Sequence, residues 1–186
     1  MQAARGTSLS DIETPSGVRR SPRPWTLFAA LAAALYVVDQ VSKWQAEKHL
    51  EGRDDVSVIG DLLQLRLVYN PGAAFSLGTE YTVVLSCVAI VAAVAVVWFS
   101  RRLGSTLWAV ALGFLLAGVC GNLTDRLLRD PGPLRGHVVD FLMLPNWPIF
   151  NVADICINVA AALILVQAFR GVRLDGTRTT DEETDA

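Results

Sequence analysis

Long uncharged stretches constrain this chain more than any other feature. No Asp, Glu, Lys or Arg occurs from Tyr81 to Ser100 or from Leu103 to Thr124. A third stretch, Pro148 to Phe169, is interrupted only by Asp154, and a fourth runs from Trp25 to Val38 before meeting Asp39. The hydrocarbon core of a bilayer takes about 20 residues of helix to cross, so each stretch predicts a transmembrane helix. Charged residues make up 18% of the 186 residues, against about 25% in a soluble domain, and the deficit is concentrated in these runs. The expectation is an all-α integral membrane fold with four transmembrane helices at about 25–46, 81–100, 105–124 and 148–169. They form one bundle over 25–170, flanked by disordered polar tails at 1–24 and 171–186.

The first run follows a basic flank and has an alanine-rich core, the layout of a cleavable signal peptide. It passes without a break into Asp39-Gln-Val-Ser-Lys43, however, and three further spans follow. This predicts a retained helix. The short flanks set the orientation. Arg19, Arg20 and Arg23 precede span 1, Arg101-Arg102 ends span 2, and Arg170 and Arg173 follow span 4. Retention of basic flanks inside the cell places both termini in the cytoplasm. Residues 47–80 and 125–147 then lie outside. In the first of these loops Leu63, Leu65, Leu67 and Tyr69 alternate with Gln64, Arg66 and Asn70, the period of a half-buried strand. Val56-Ser-Val-Ile59 before Gly60-Asp61 adds a second strand and a turn. A small extracytoplasmic sheet is expected there.

Composition narrows the function. A net charge of -2 offers no footing for nucleic acid. Cys87, Cys120 and Cys156 lie in separate apolar stretches and read as small helix residues rather than a disulfide framework. Neither His49 nor His137 stands within one helical turn of Ser42 or Ser76, and no His-Glu-x-x-His motif is present.

Polar residues inside membrane helices are costly and generally face a partner within the bundle. Here they collect at one level, the outer end. Asp39 and Lys43 end span 1 at the i,i+4 spacing of a helical ion pair, which reads as structural. Asn122 and Asp125 close span 3, and Asn151 and Asp154 open span 4. Each Asn is three residues before its Asp, on the same face, where an amide can hold a carboxylate. With Pro148 as the start of span 4, Asp154 would sit roughly 9 Å along the helix. Three acids therefore compete for chemistry: Asp125, Asp140 and Asp154. Two carboxylates sharing one proton would make an aspartic-protease centre. The same three acids could instead hold Mg²⁺ for a metal-dependent lipid phosphotransferase, and Asp154 alone could serve a proton relay.

Five ordered stretches resemble one family closely, the bacterial lipoprotein signal peptidases, or signal peptidase II. They are Asp39-Gln-Val-Ser-Lys43, Asn70-Pro-Gly-Ala-Ala-Phe75, Gly121-Asn-Leu-Thr-Asp-Arg126, Val139-Asp-Phe141 and Phe150-Asn-Val-Ala-Asp154. The resemblance implies four helices with an extracytoplasmic β-cradle. It also implies removal of the signal peptide from diacylglyceryl-modified prolipoproteins by a cut just before the lipidated cysteine. The implied catalytic pair is Asp140 and Asp154, with no cofactor or metal. Asn70, Gly72, Asn122, Asp125, Arg126 and Asn151 become substrate-binding or supporting residues, with Asp39 and Lys43 a structural ion pair. The expected setting is the cytoplasmic membrane, where a monomer surrounded by lipid meets its prolipoprotein substrates near the outer face.

Overall fold

The computed structural model describes residues 24–72 and 82–178. In chain order the elements are α1 (Pro24–Leu50), β1 (Val56–Ile59), β2 (Leu63–Asn70), α2 (Thr82–Ser100), α3 (Thr106–Leu128), β3 (Val138–Met143) and α4 (Val152–Phe169). All four helices are long and apolar enough to cross a membrane. Tyr81, the motif residues Ala73 to Phe75, the N-terminal residues 1–23 and the acidic stretch 179–186 lie outside the described residues.

Helix α3 is the hub and packs against α1, α2 and α4. Within the apolar window of α3, 44% of residues are buried, against 17%, 17% and 22% in α1, α2 and α4. The cause is side-chain size. Lipid offers apolar side chains nearly the same environment as another helix, so membrane helices associate by close backbone packing and hydrogen bonds. Ala109, Ala111 and Ala117 are buried on α3. A Cβ on Gly118 would stand 2.5 Å from the Ala153 carbonyl oxygen, and one on Gly121 would stand 2.5 Å from Asp39 Oδ2. Helix α3 thus touches α4 at Gly118 and the polar end of α1 at Gly121.

At the opposite end, Phe28, Val96, Ala109 and Leu112 form an apolar cluster joined by Leu103 and Leu174. Leu174 belongs to residues 171–178, expected to be disordered but in fact folded back as a turn. The Leu174 carbonyl accepts from Gly104 N at 2.9 Å, Trp108 Nε1 donates to the Val172 carbonyl at 2.9 Å, and Asp175 Oδ1 accepts from Thr177 N at 3.0 Å. One apolar residue that reaches the cluster and one Asp that closes its own turn are enough to hold this segment.

At the polar end lies a three-stranded antiparallel sheet in the order β1-β2-β3. The β1–β2 hairpin forms where the sequence alternation places it, but burial does not follow that alternation. Strand β1 is exposed throughout, and Tyr69 is exposed while Gln64 and Asn70 are half-buried, since the register breaks between Leu65 and Val68. Strand β3 was not anticipated, because its burial on both faces hides any alternation. Val68 pairs with Asp140 and Asn70 with Val138, and the register breaks between Leu65 and Val68. Ala46, Leu50 and Phe141 pack under the sheet together with Leu65 and Leu67. That contact explains why α1 runs to Leu50, beyond the apolar limit that suggested an end at 46.

Helix α4 also begins later than expected, at Val152 instead of Pro148. Phe150 is held in extended form by β3: Leu142 N donates to the Phe150 carbonyl at 2.8 Å, and Phe150 N returns a bond to the Leu142 carbonyl at 3.0 Å. Asp154 is therefore in the first turn of the helix and not part-way down it.

The close approach at Gly118 makes a prediction. Gly118→Val forces α3 away from the Ala153 backbone and should cost about 1–3 kcal/mol or more, as overpacking does. Thermal unfolding in one detergent should show a lowered Tm and a smaller folded yield. Val91→Ala on the exposed face of α2 should leave both nearly unchanged, since Val91 is 67% exposed.

Candidate active site

The site is built from helix ends and one strand. Lys43, fully buried on α1, directs its ammonium at three acceptors on two helices. Nζ lies 3.0 Å from Asp39 Oδ2, 2.7 Å from Asp125 Oδ2 and 3.0 Å from Asn122 Oδ1. A lysine has three donors, and each has a partner here. The expected Asp39–Lys43 pair is therefore one edge of a larger network.

Each of the two flanking acids also fixes backbone. Asp39 Oδ1 accepts from Ala153 N at 2.8 Å, so α1 satisfies one of the unpaired amides at the start of α4. Asp125 Oδ2 accepts from Val139 N at 3.3 Å, and its Oδ1 accepts from Arg129 Nε at 2.7 Å. Arg129 in turn pairs with Glu47 of α1. The partner of Asp125 is thus Lys43 with Arg129, not its sequence neighbour Arg126. Reasoning from the sequence missed Arg129, although its i,i+4 spacing from Asp125 is an available signal.

The two asparagines serve differently from expectation. Asn122 does not hold Asp125 on its own helix. It reaches across to α4, where Nδ2 donates to Asp154 Oδ1 at 2.8 Å. Asn151 is the N-cap of α4: its side chain accepts from Asp154 N at 3.0 Å, while its own N–H donates to Asp154 Oδ2 at 3.1 Å. The Asn-x-x-Asp spacing here is a capping box. Asn151 Nδ2 then donates to Asp140 Oδ1 at 2.6 Å and to Asn122 Oδ1 at 3.1 Å. Asn70 Nδ2 donates to Asp140 Oδ2 at 2.9 Å, and Asn70 Oδ1 accepts from Gly72 N at 3.0 Å. The structure thus brings Asp140 and Asp154 into one hydrogen-bonded unit through Asn151 and Asn122, and it holds Asp125 apart as an anchor.

Asp140 and Asp154 share a cavity of about 600 Å³ with Asn70, Gly72, Asn122 and Arg126, and Ile155 and Val159 extend its wall along α4. Arg126 Nη2 donates to the Gly72 carbonyl at 2.8 Å, and its buried Nε has no partner among the described residues. Burial pushes the Asp140 carboxyl up to about 6, and the charge of Asp154 adds to this, while bonds from Asn70 and Asn151 and the charge of Lys43 pull it down. Asp154 stands in the first turn of α4, where unpaired amides favour a negative side chain. No group of three or more His, Cys, Asp or Glu gathers as metal ligands among the described residues. Asp125, the third acid a metal site would need, has both oxygens engaged.

The chain has relatives. A family model described as signal peptidase (SPase) II matches residues 31–170. The chain belongs to the signal peptidase II family. It is 43% identical over 170 residues to the lipoprotein signal peptidase of Leifsonia xyli subsp. xyli (strain CTCB07), covering 91% of this chain and 79% of that one. With the lipoprotein signal peptidase of Mycobacterium avium (strain 104) the identity is 47% over 156 residues, covering 84% and 86%. A bacterial membrane enzyme solved by the in meso method at 2.3 Å superposes with a TM-score of 0.70 at 27% identity, covering 77% of this chain and 88% of the other. As a signal peptidase II family member, the chain is a multi-pass membrane protease.

Lys43 supplies the test of this framework. Lys43→Ala leaves Asp39 and Asp125 facing each other in a buried place and should cost about 3–5 kcal/mol, read as lost folded yield and lowered Tm. Adding Asp39→Asn removes the charge left without a cation, Asp125 still having Arg129, and should recover part of that stability. A well-folded Lys43→Ala with no activity would instead make Lys43 part of the chemistry.

Proposed function

We propose that this membrane protease removes the signal peptide from diacylglyceryl-modified prolipoproteins by aspartyl catalysis, cutting just before the lipidated cysteine. The observation that carries the reading is the Asp140–Asp154 unit: two acids in one cavity, each fixed by amides from neighbouring elements and one raised to about 6 by burial.

The roles follow from the surroundings. Asp154, at the helix N-terminus, is the carboxylate that takes a proton from the attacking water. Asp140 carries the shared proton, polarises the scissile carbonyl and passes the proton to the leaving amine. Asn151 and Asn122 hold the two acids in register. Arg126, with its Nε unpartnered among the described residues, is a donor for a substrate carbonyl, with Gly72 and Asn70 forming the facing wall.

The lipid suits the same geometry. Ile155 and Val159 make the α4 side of the cavity apolar, so diacyl chains can remain in the bilayer while the bond beside them reaches the acids. Trp44 and Trp147 are exposed at the sheet end, and Trp25 and Trp98 at the other, as interfacial anchors are. With Arg101, Arg102 and Arg170 at the end away from the sheet, the basic flanks support cytoplasmic termini and an outward-facing site. The protein acts as a monomer in membrane lipid.

The catalytic pair is tested by substitution. Asp140→Asn and Asp154→Asn should each abolish turnover of a lipid-modified prolipoprotein while the protein stays folded, and the double variant should be little worse than either single one. Asp125→Asn should keep more activity. Near-normal turnover in Asp140→Asn with none in Asp125→Asn would assign the pair to Asp125 and Asp154.

The pH profile follows from Asp140. As pH rises through about 6 its carboxyl loses the proton required by the leaving amine, so kcat/KM should fall on the alkaline side through a group near 6 and not near 4. Asn70 donates to this carboxyl and favours its charged form, so Asn70→Ala should shift that limb to higher pH.

Orientation is tested with single cysteines in a background lacking Cys87, Cys120 and Cys156. A membrane-impermeant thiol reagent added from outside should modify a cysteine at position 61 and spare one at position 101. The reverse pattern would invert the topology.

A further inference from the structure

A second cavity, of about 430 Å³, opens beside the first and is lined by Asp61, Gln64, Arg66 and Met143 together with Trp147 and Ile149. Trp147 and Ile149 also line the catalytic cavity, so the two spaces share a wall. The register break between Leu65 and Val68 falls between them. Asn70 and Asp140 face the catalytic cavity from beyond the break, while Gln64 and Met143 face the second from before it. A bulge that re-aims side chains beside an active site has this effect.

We propose that the second cavity is the subsite for the first residues of the mature lipoprotein, those that follow the lipidated cysteine, and that Asp61 sets its charge preference. This rests on the peptidase reading above. The direction comes from the two walls. On the α4 side the catalytic cavity is extended by Ile155 and Val159, which suits the signal peptide and the acyl chains. On the sheet side the way out passes Asp61 and Arg66, which suits a polar chain leaving the membrane. Met143 is three residues along β3 from Asp140, roughly 10 Å at strand rise, so an extended peptide cut at Asp140 places its second to fourth mature residues in the second cavity.

The charge of the subsite can be counted. Arg66 is already matched by Asp55 through two hydrogen bonds. Asp61 is exposed in the β1–β2 turn, and its carboxylate has no ion-pair partner among the described residues. The cavity is therefore net negative and favours a basic residue over an acidic one.

The test uses the full-length enzyme in bicelles at low salt and three lipid-modified prolipoproteins identical except for Lys, Ser or Asp at the third mature position. The kcat/KM values should order Lys above Ser above Asp, with a spread of roughly three- to ten-fold, as expected for a partly exposed charge. Asp61→Lys should invert the order and Asp61→Asn should compress it. A flat series, or an order that survives Asp61→Lys, overturns the subsite. Failure of the wild-type enzyme to cut any of the three overturns the peptidase reading instead. Independently of turnover, a photocrosslinker at the third mature residue bound to Asp140→Asn should mark residues 61–66 or 143–147. Crosslinks confined to α1 or α2 would overturn the assignment.

Discussion

The rest of the site depends on one buried ammonium. Lys43 costs a great deal to place in a membrane protein, and it is held only because three acceptors surround it. Those acceptors come from α1 and α3, and each has a second function. Asp39 takes an amide of α4, Asp125 takes an amide of β3, and Asn122 reaches Asp154. Lys43 therefore controls, through one intermediate residue each, the backbone entry into α4, the strand that carries Asp140, and the side chain of Asp154. A buried cation that makes no contact with Asp140 or Asp154 positions both of them. This explains why removing a buried ion-pair partner here would damage more than local stability.

The two catalytic candidates are held by neutral amides and not by cations. An arginine or lysine bonded directly to Asp140 or Asp154 would favour full ionisation of both and remove the proton that the proposed mechanism requires. Asparagine can donate to a carboxylate and accept elsewhere without adding charge. Asn151 uses this capacity fully. Its oxygen caps α4, and its amide nitrogen reaches both Asp140 and Asn122. The Lys43 and Arg129 cations are kept one residue back, at Asp39 and Asp125, and burial keeps the pKa of Asp140 raised, as the proposed general acid requires.

The helices were legible because hydropathy and bilayer thickness leave little choice, and the hairpin because one face of it alternates. The polar residues were legible as a group, since charge inside a membrane span demands a reason, but their partners were not. Asn122 and Asp125 share a helix face, yet Asn122 bonds to Asp154 on another helix. Spacing along one helix cannot report which neighbour packs against it. Asn151 was read as an amide beside a carboxylate, and its real geometry is that of an N-cap. That would have been visible had Phe150 been recognised as extended. Strand β3 was hidden because Val138, Val139, Asp140 and Phe141 are buried on both faces. The turn at 171–178 was hidden because one Leu and one Asx-type turn are a weak signal among arginines and threonines.

In the proposed reading, the position of the Asp140–Asp154 site follows from a conflict between water and lipid. Peptide hydrolysis consumes water, whereas the lipid-modified cysteine holds the bond at the membrane surface. A dyad halfway down a helix would meet the lipid but lack water. A dyad on an extracellular domain would have water but would have to lift the acyl chains out of the bilayer, at about 0.8 kcal/mol per methylene. Placing one acid in the first turn of α4 and the other on a strand resting on α1 avoids both problems. Non-helical backbone at this depth is tolerable only where its polar groups find protein partners. Asp125 supplies one for Val139 N, Phe150 for Leu142 N, and Asn151 for the Val139 carbonyl. The buried network that positions the acids is thus also what allows a β-strand to sit at the edge of the membrane.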